Sequence, residues 1–341
     1  MDSRKRIKAL IVDDSMVFRE VIGRGISSDP LIEVVAVAAD PFDARDKILK
    51  LQPDVITCDV EMPRMNGIEF VRRLLAQYPV PIIMVSSVSS AVFEAMDAGA
   101  VDFAVKPDVQ SPMGVETFIH ELIAKIKIAS VAKIGPQRMI NKADQVIQNT
   151  VCGSDKIILI GASTGGTEAI YSILKSLPPT TPGIAIVQHI PPVFSRMFAD
   201  RLDSQTRLWV KEARTGDYVE QGKVIIAPGD QHIRIKRIGD RYRAECFQGA
   251  KVNGHCPSVD VLFESAAKEA GSRAIGILLT GMGYDGAKGL LAMRRKGART
   301  IGQDEQSAVV YGMPKAAFDI GAVEKQAALD NIPRILFTML G

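Results

Sequence analysis

Short apolar runs alternate with longer amphipathic stretches throughout the first part of the chain, and this alternation restricts the fold more than any other feature. The runs Ile7–Val12, Val34–Ala38, Val55–Cys58, Ile82–Val85 and Asp102–Val105 have the length of strands. Between and after them, Ser15–Ile26, Phe42–Leu51, Ile68–Gln77, Ala91–Ala98 and Val115–Ile128 carry helical apolar spacing. Strands separated by helices must run parallel, and a parallel sheet is covered on both faces. The pattern predicts an α/β unit over residues 1–128. Residues 129–155 lose this periodicity and hold Gly135-Pro136 and Gly153, so they read as a linker, with helical turns around Lys142–Gln148.

A second α/β domain is predicted over 156–341. Its strands are Ile157–Ile160, Ile184–Gln188, Val224–Ala227, Ile275–Thr280 and Thr300–Gly302, and its helices Thr167–Leu177, Val259–Ala270, Gly286–Lys296 and Lys315–Ile320. This domain reads as doubly wound and mostly parallel. The alternating segments Ile233–Ile238 and Tyr242–Phe247 bracket Gly239-Asp240, which predicts an antiparallel hairpin within it. The four cysteines make no CxxC pair, and the net charge of +3 is too small to argue for nucleic acid. The basic N-terminus meets Asp13-Asp14 too soon for a signal peptide, and no apolar stretch approaches the ~20 residues of a membrane span. The expectation is a cytoplasmic protein that is not inserted in a membrane and has no nucleic-acid partner.

Five polar side chains fall at the carboxyl ends of the first set of strands: Asp13 and Asp14, Asp59, Ser86 and Lys106. Open α/β sheets bind ligands at that edge. Three converging carboxylates suit a hard divalent cation such as Mg²⁺, while a lysine and a hydroxyl suit a phosphoryl group. Val12-Asp13-Asp14-Ser15, Asp59 followed by Glu61-Met62-Pro63-Arg64-Met65-Asn66-Gly67, Ser86, and Lys106-Pro107 resemble the response-regulator receiver family. The resemblance implies a flavodoxin-like (βα)5 fold in which Asp59 accepts a phosphoryl group from a CheA-type sensor histidine kinase. It implies Mg²⁺ held by Asp13, Asp14, Asp59 and the main chain of Glu61, with Ser86 and Lys106 on the phosphoryl oxygens and Phe103 as an aromatic switch. It also implies a Lys106-Pro107 bond that is often cis.

In the second domain the run Ile157–Ile160 feeds directly into Gly161-Ala162-Ser163-Thr164-Gly165-Gly166. This G-x-S-x-G pattern between strand and helix lifts a hydroxyl out of the sheet edge, where a nucleophile needs to be. A serine needs a base. Among His120, His189, His232 and His255, His189 is best placed, because it closes the neighbouring strand Ile184–Gln188. Asp285, just after the strand Ile275–Thr280, can orient the imidazole; it can equally cap the helix that follows. Backbone N–H groups of Thr164 and Met282 are candidates for an oxyanion hole. The chain order Ser163, His189, Asp285 is not that of α/β-hydrolases.

The motifs Gly161–Gly166, Gln188-His189, Pro228-Gly229-Asp230-Gln231-His232, Pro257-Ser258-Val259-Asp260 and Gly281-Met282-Gly283-Tyr284-Asp285-Gly286 resemble the CheB family of chemotaxis protein-glutamate methylesterases. The resemblance implies that Ser163, His189 and Asp285 form a triad that needs no cofactor. It implies substrates on methyl-accepting chemoreceptors, with glutamate γ-methyl esters hydrolysed and certain glutamines deamidated. It further implies that the unphosphorylated receiver restrains the esterase.

Two other classes fit less of the sequence. A dinucleotide site would need an acidic residue about 20 positions after the glycine-rich turn, at the end of the next strand, where Gln188-His189 stands. A DNA-binding output would show a helix-turn-helix or a basic stripe, and the second half shows neither. A receiver joined to a catalytically silent domain is also compatible with the sequence.

Overall fold

A computed structural model describes residues 5–87, 91–108, 110–134 and 155–341. It contains two compact units, Met1–Asn141 and Lys142–Gly341. The helical turns expected around Lys142–Gln148 lie outside the described residues.

The first unit alternates without exception: β1 (Ile7–Val12), α1 (Met16–Ile26), β2 (Ile32–Ala38), α2 (Pro41–Leu51), β3 (Val55–Asp59), α3 (Gly67–Leu75), β4 (Ile82–Ser86), α4 (Ala91–Asp97), β5 (Asp102–Val105) and α5 (Pro112–Ala129). The sheet order is β2-β1-β3-β4-β5, with every pairing parallel. Strands buried on both faces need continuous apolar runs, and β3 and β4 are buried at all ten positions. Ser15 opens α1 by accepting the Phe18 N–H, and Asn66 opens α3 by accepting the Glu69 N–H. Asp14 caps neither helix. The Lys106–Pro107 bond is trans; among the described residues the cis bond is Cys256–Pro257.

The second unit comprises β6 (Ile157–Ala162), α6 (Gly166–Lys175), β7 (Ile184–Gln188), α7 (Phe194–Gln205), β8 (Trp209–Glu212), β9 (Tyr218–Val219), β10 (Lys223–Ile226), β11 (His232–Ile238), β12 (Arg241–Phe247), α8 (Val259–Glu269), β13 (Ala274–Leu278), α9 (Ala287–Arg295), β14 (Arg299–Gln303), α10 (Met313–Asp319), β15 (Lys325–Ala327) and α11 (Ile332–Leu340). Seven strands form one parallel sheet in the order β15-β14-β13-β6-β7-β10-β8. Strand order reverses at β6, between β7 on one side and β13 on the other, and such a switch point opens a crevice at the strand carboxyl ends. The expected hairpin exists, with Ile238 paired to Arg241 across Gly239-Asp240. It belongs to a separate antiparallel sheet, β11-β12-β9, rather than to the main one. Its inward side chains Ile233, Ile235, Tyr242 and Ala244 share a core with Leu262, Phe263 and Ala266 of α8.

Candidate active site

The crevice beside β6 collects the predicted residues. Ala162 pairs with Gln188 in the β6–β7 ladder, and the His189 N–H donates to the Ala162 carbonyl at 3.1 Å. Ser163 and His189 therefore stand one residue past the ends of neighbouring strands. The serine turn is held from two sides. The Ser163 N–H donates to the Thr280 carbonyl at 3.0 Å, and Gln188 Nε2 donates to the Ser163 carbonyl at 2.9 Å. Gly165 takes φ +74°, a left-handed conformation that glycine adopts without cost. A Cβ on Gly166 would lie 2.1 Å from Gln188 Oε1, and one on Gly281 would lie 2.7 Å from Ser163 Cβ. The loop that carries Met282 thus passes directly beside the serine. Thr280 ties the two turns together, donating its hydroxyl to the Thr164 carbonyl at 3.0 Å while accepting the Val310 N–H. Thr164 is buried and Met282 is exposed.

His189 Nε2 lies 2.9 Å from Asp285 Oδ2. Asp285 also accepts the Val259 N–H on Oδ2 at 2.7 Å, and on Oδ1 the Asn253 side-chain amide, the Ser258 hydroxyl and the Asp260 N–H. Burial alone would push the carboxyl up, but the hydrogen bonds from His189, Asn253 and Ser258 outweigh it and hold Asp285 well below the usual carboxylate range. An ionised carboxylate only accepts, so Nε2 carries the His189 proton. Nδ1 is left with the lone pair, buried and without a hydrogen-bond partner. Asp285 does not cap its own helix, since α9 begins at Ala287 after Gly286 at φ +88°. It plugs the N-terminus of α8 instead, where the helix dipole favours negative charge.

Several neighbours have roles that no motif assigned. Asn253 Nδ2 bridges Asp285 and Asp260, at 2.8 and 2.7 Å. Asp260 is buried, which together with the charge of Asp285 holds its carboxyl above the usual range, and its Oδ1 accepts the Gly289 N–H. The His255 ring stacks on His189. The signal for this shell was the segment Pro257-Ser258-Val259-Asp260, legible as a motif but silent about geometry. The other two histidines stand apart. His232 is buried and engaged at both nitrogens, by the Ala250 carbonyl and the Ser258 N–H, while His120 is exposed on α5 of the first unit.

In the first unit Asp13, Asp14 and Asp59 offer carboxylate oxygens all within 4.8 Å of one another. Lys106 Nζ bridges Asp13 Oδ2 at 2.8 Å and Asp59 Oδ2 at 2.7 Å. Burial raises the Asp59 carboxyl and Lys106 pulls it back only in part, so it stays above its ordinary value. Burial opposes the charge on Lys106, yet the two carboxylates more than compensate and raise it. The Ser86 hydroxyl at the end of β4 is buried and has no hydrogen-bond partner. The Glu61 N–H faces Asp59 Oδ1 at 3.3 Å. Phe103 is buried edge-on to Phe93, with ring centroids 6.3 Å apart. Three hard oxygen donors converging within 4.8 Å of one another suit Mg²⁺.

Comparisons with known proteins agree with this architecture. Residues 158–336 match the family model described as CheB methylesterase, and residues 9–113 match the response regulator receiver domain. The chain is 56% identical over 338 residues to protein-glutamate methylesterase/protein-glutamine glutaminase 2 of Syntrophomonas wolfei, covering 98% of each chain. It is 48% identical to the protein-glutamate methylesterase/protein-glutamine glutaminase of Syntrophotalea carbinolica, covering 97% of each. The crystal structure of the Thermotoga maritima CheB methylesterase catalytic domain superposes with a TM-score of 0.53 at 38% identity, covering 55% of this chain and all of that one. Among the described residues, no helix is long and apolar enough to cross a membrane. With its hydrolase domain preceded by a receiver domain, the chain belongs to the CheB methylesterase family.

Proposed function

We propose that the protein hydrolyses glutamate γ-methyl esters on methyl-accepting chemoreceptors, with Ser163 as nucleophile, His189 as base and Asp285 as orienting carboxylate. One observation carries the reading: Asp285 occupies His189 Nε2 and leaves the buried Nδ1 lone pair unsatisfied, one strand from Ser163. Ser163 Oγ attacks the ester carbonyl carbon and passes its proton to Nδ1. The resulting oxyanion is received by the main-chain N–H groups of Thr164 and Met282; such donors contribute roughly 3 kcal/mol each when fixed and dry. The tetrahedral centre collapses, Nδ1–H protonates the departing methoxide, and methanol leaves. Water, deprotonated by Nδ1, then releases glutamate and restores the serine. A glutamine side chain follows the same course with ammonia leaving, which supports a deamidase activity as well.

Residues 1–128 act as the receiver and 156–341 as the catalytic domain, joined by 129–155. A CheA-type histidine kinase supplies the phosphoryl group, and Asp59 accepts it on a carboxylate oxygen. Asp13, Asp14, Asp59 and the Glu61 main-chain carbonyl would hold Mg²⁺, which offsets the charge of the phosphoryl oxygens when bound. Lys106 and the unpartnered Ser86 hydroxyl bind those oxygens, and Phe103 responds as Ser86 is drawn towards the new group. Phosphorylation shifts the receiver between two states, and esterase activity follows that population.

The test is methanol release from membranes bearing methylated receptors, with and without acetyl phosphate, for the parent and for Ser163→Ala. The parent releases methanol faster with the phosphodonor, and Ser163→Ala releases none above the uncatalysed rate. Undiminished release by the alanine variant removes Ser163 from the mechanism.

A further inference from the structure

The hydrogen bond to Asp285 fixes His189 at one end only. The terminal torsion of a histidine is broad, so a ring held at Nε2 alone can swing about that bond and carry Nδ1 away from the serine. The structure provides a second restraint. Val252 and His255 exchange both backbone hydrogen bonds at 2.9 Å, closing a two-residue turn on Asn253 and Gly254. Both central residues have positive φ, +53° and +86°, which is the Asn-Gly preference of a type I′ turn. No atom lies within 4 Å of a Cβ built on Gly254, so its backbone conformation alone calls for glycine.

This turn holds both members of the His189–Asp285 pair. The half-buried His255 ring lies flat on His189, with centroids 3.7 Å apart and planes 8° from parallel. Asn253 places one amide nitrogen between the Asp285 and Asp260 carboxylates, so a single NH₂ satisfies both and keeps two like charges in register. We propose that the Val252–His255 turn is a positioning clamp for the catalytic pair, His255 fixing the plane of the imidazole by its flat face and Asn253 fixing the carboxylate. This rests on the triad reading above. The clamp acts through His189 and Asp285, and it lowers the barrier by keeping Nδ1 in an attack-ready orientation.

The test uses the full-length protein with acetyl phosphate and measures kcat and KM for methanol release from methylated receptor membranes. His255→Ala lowers kcat about tenfold or more and leaves KM within about twofold, because geometry rather than substrate contact is lost. His255→Phe restores the flat face and keeps kcat within about threefold of the parent, whereas His255→Leu, of similar bulk but not planar, falls with the alanine variant. Asn253→Gly, which tolerates the positive φ, lowers kcat about tenfold at unchanged KM. Thermal melts identify any variant that fails to fold, and the Phe-against-Leu comparison decides if the alanine variant does. The clamp is overturned if Phe falls as far as Ala, if Leu matches Phe, if His255→Ala equals the parent, or if KM rises while kcat holds. If Ser163→Ala still turns over, the triad falls and the clamp with it. An inactive Ser163→Ala beside a fully active His255→Ala sinks the clamp alone.

Discussion

The carboxylate of Asp285 accepts the Val259 amide at 2.7 Å, the first free N–H of a helix that lies well before it in the sequence. One residue thereby ends α8 electrostatically and holds the imidazole of His189. The two tasks reinforce each other, because the dipole that stabilises the anion also keeps it ionised for the histidine.

Asp285→Asn tests the catalytic half of that statement. An amide keeps one acceptor oxygen, but its NH₂ only donates: placed at the Oδ2 position it accepts from neither Val259 N–H nor His189 Nε2–H, and placed at the Oδ1 position it faces the donors Asn253, Ser258 and Asp260 N–H. The favoured tautomer is lost, and kcat for methanol release drops roughly 10³- to 10⁴-fold with little change in KM. A loss smaller than tenfold contradicts the assignment.

The same substitution tests the structural half. The native carboxyl lies below its ordinary value of 3.8, so its contribution to stability is complete above that value and is lost as pH falls through the lower native one. Urea midpoints of the parent and of Asp285→Asn, measured from neutrality downwards, converge only below the ordinary carboxylate range. A gap that stays constant with pH contradicts the linkage.

Asp59 carries the opposite sign. Burial raises its carboxyl, so the ionised form weakens the native receiver at neutral pH, and acidification through the raised value removes the penalty. Asp59→Asn therefore melts higher than the parent at pH 7, and the difference shrinks as pH falls. The variant's methanol release is the same with and without acetyl phosphate, while that of the parent rises. Activation of the variant to the parent level refutes control through Asp59.

Gly166→Ala probes the serine turn. The added methyl meets Gln188 Oε1 at 2.1 Å and Ala162 Cβ at 2.7 Å, so Gln188 has to leave the Ser163 carbonyl that it supports. Overpacking of this kind costs about 1–3 kcal/mol, seen as a lower urea midpoint, and turnover falls with the displaced serine. Unchanged stability and turnover contradict this packing.

Both sheets were legible in the sequence because parallel strands buried on two faces leave uninterrupted apolar runs, as at Ile157–Ile160 and Ile82–Val85. Boundaries moved by a residue or two: β6 runs on to Ala162, and β13 stops at Leu278 rather than Thr280. The helix α7 escaped the reading although Phe194, Phe198 and Leu202 recur at four-residue steps. Ser195, Arg196, Asp200 and Arg201 dilute that signal, and the preceding Pro191-Pro192 reads as loop. The short strands β8, β9 and β15 carry too few residues for any period to register. At the site, Ser163, His189 and Asp285 stood out as candidates because the first two follow directly on the ends of β6 and β7 and the third lies in the glycine-rich loop after β13. Asn253, Ser258 and His255 did not, because their roles depend on loops folding back across the sheet, and local spacing does not encode where a loop lands.

The placement of β6 beside β13 rather than beside its successor alone has a consequence for synthesis. The Asp285 loop is threaded long after the Ser163 turn, so a truncated polypeptide ending before β13 carries nucleophile and imidazole but no acid to orient them. On the triad proposed above, translation must run past the second flank of the switch point before the hydrolytic site is complete, so an interrupted product lacks the acid on which the base depends.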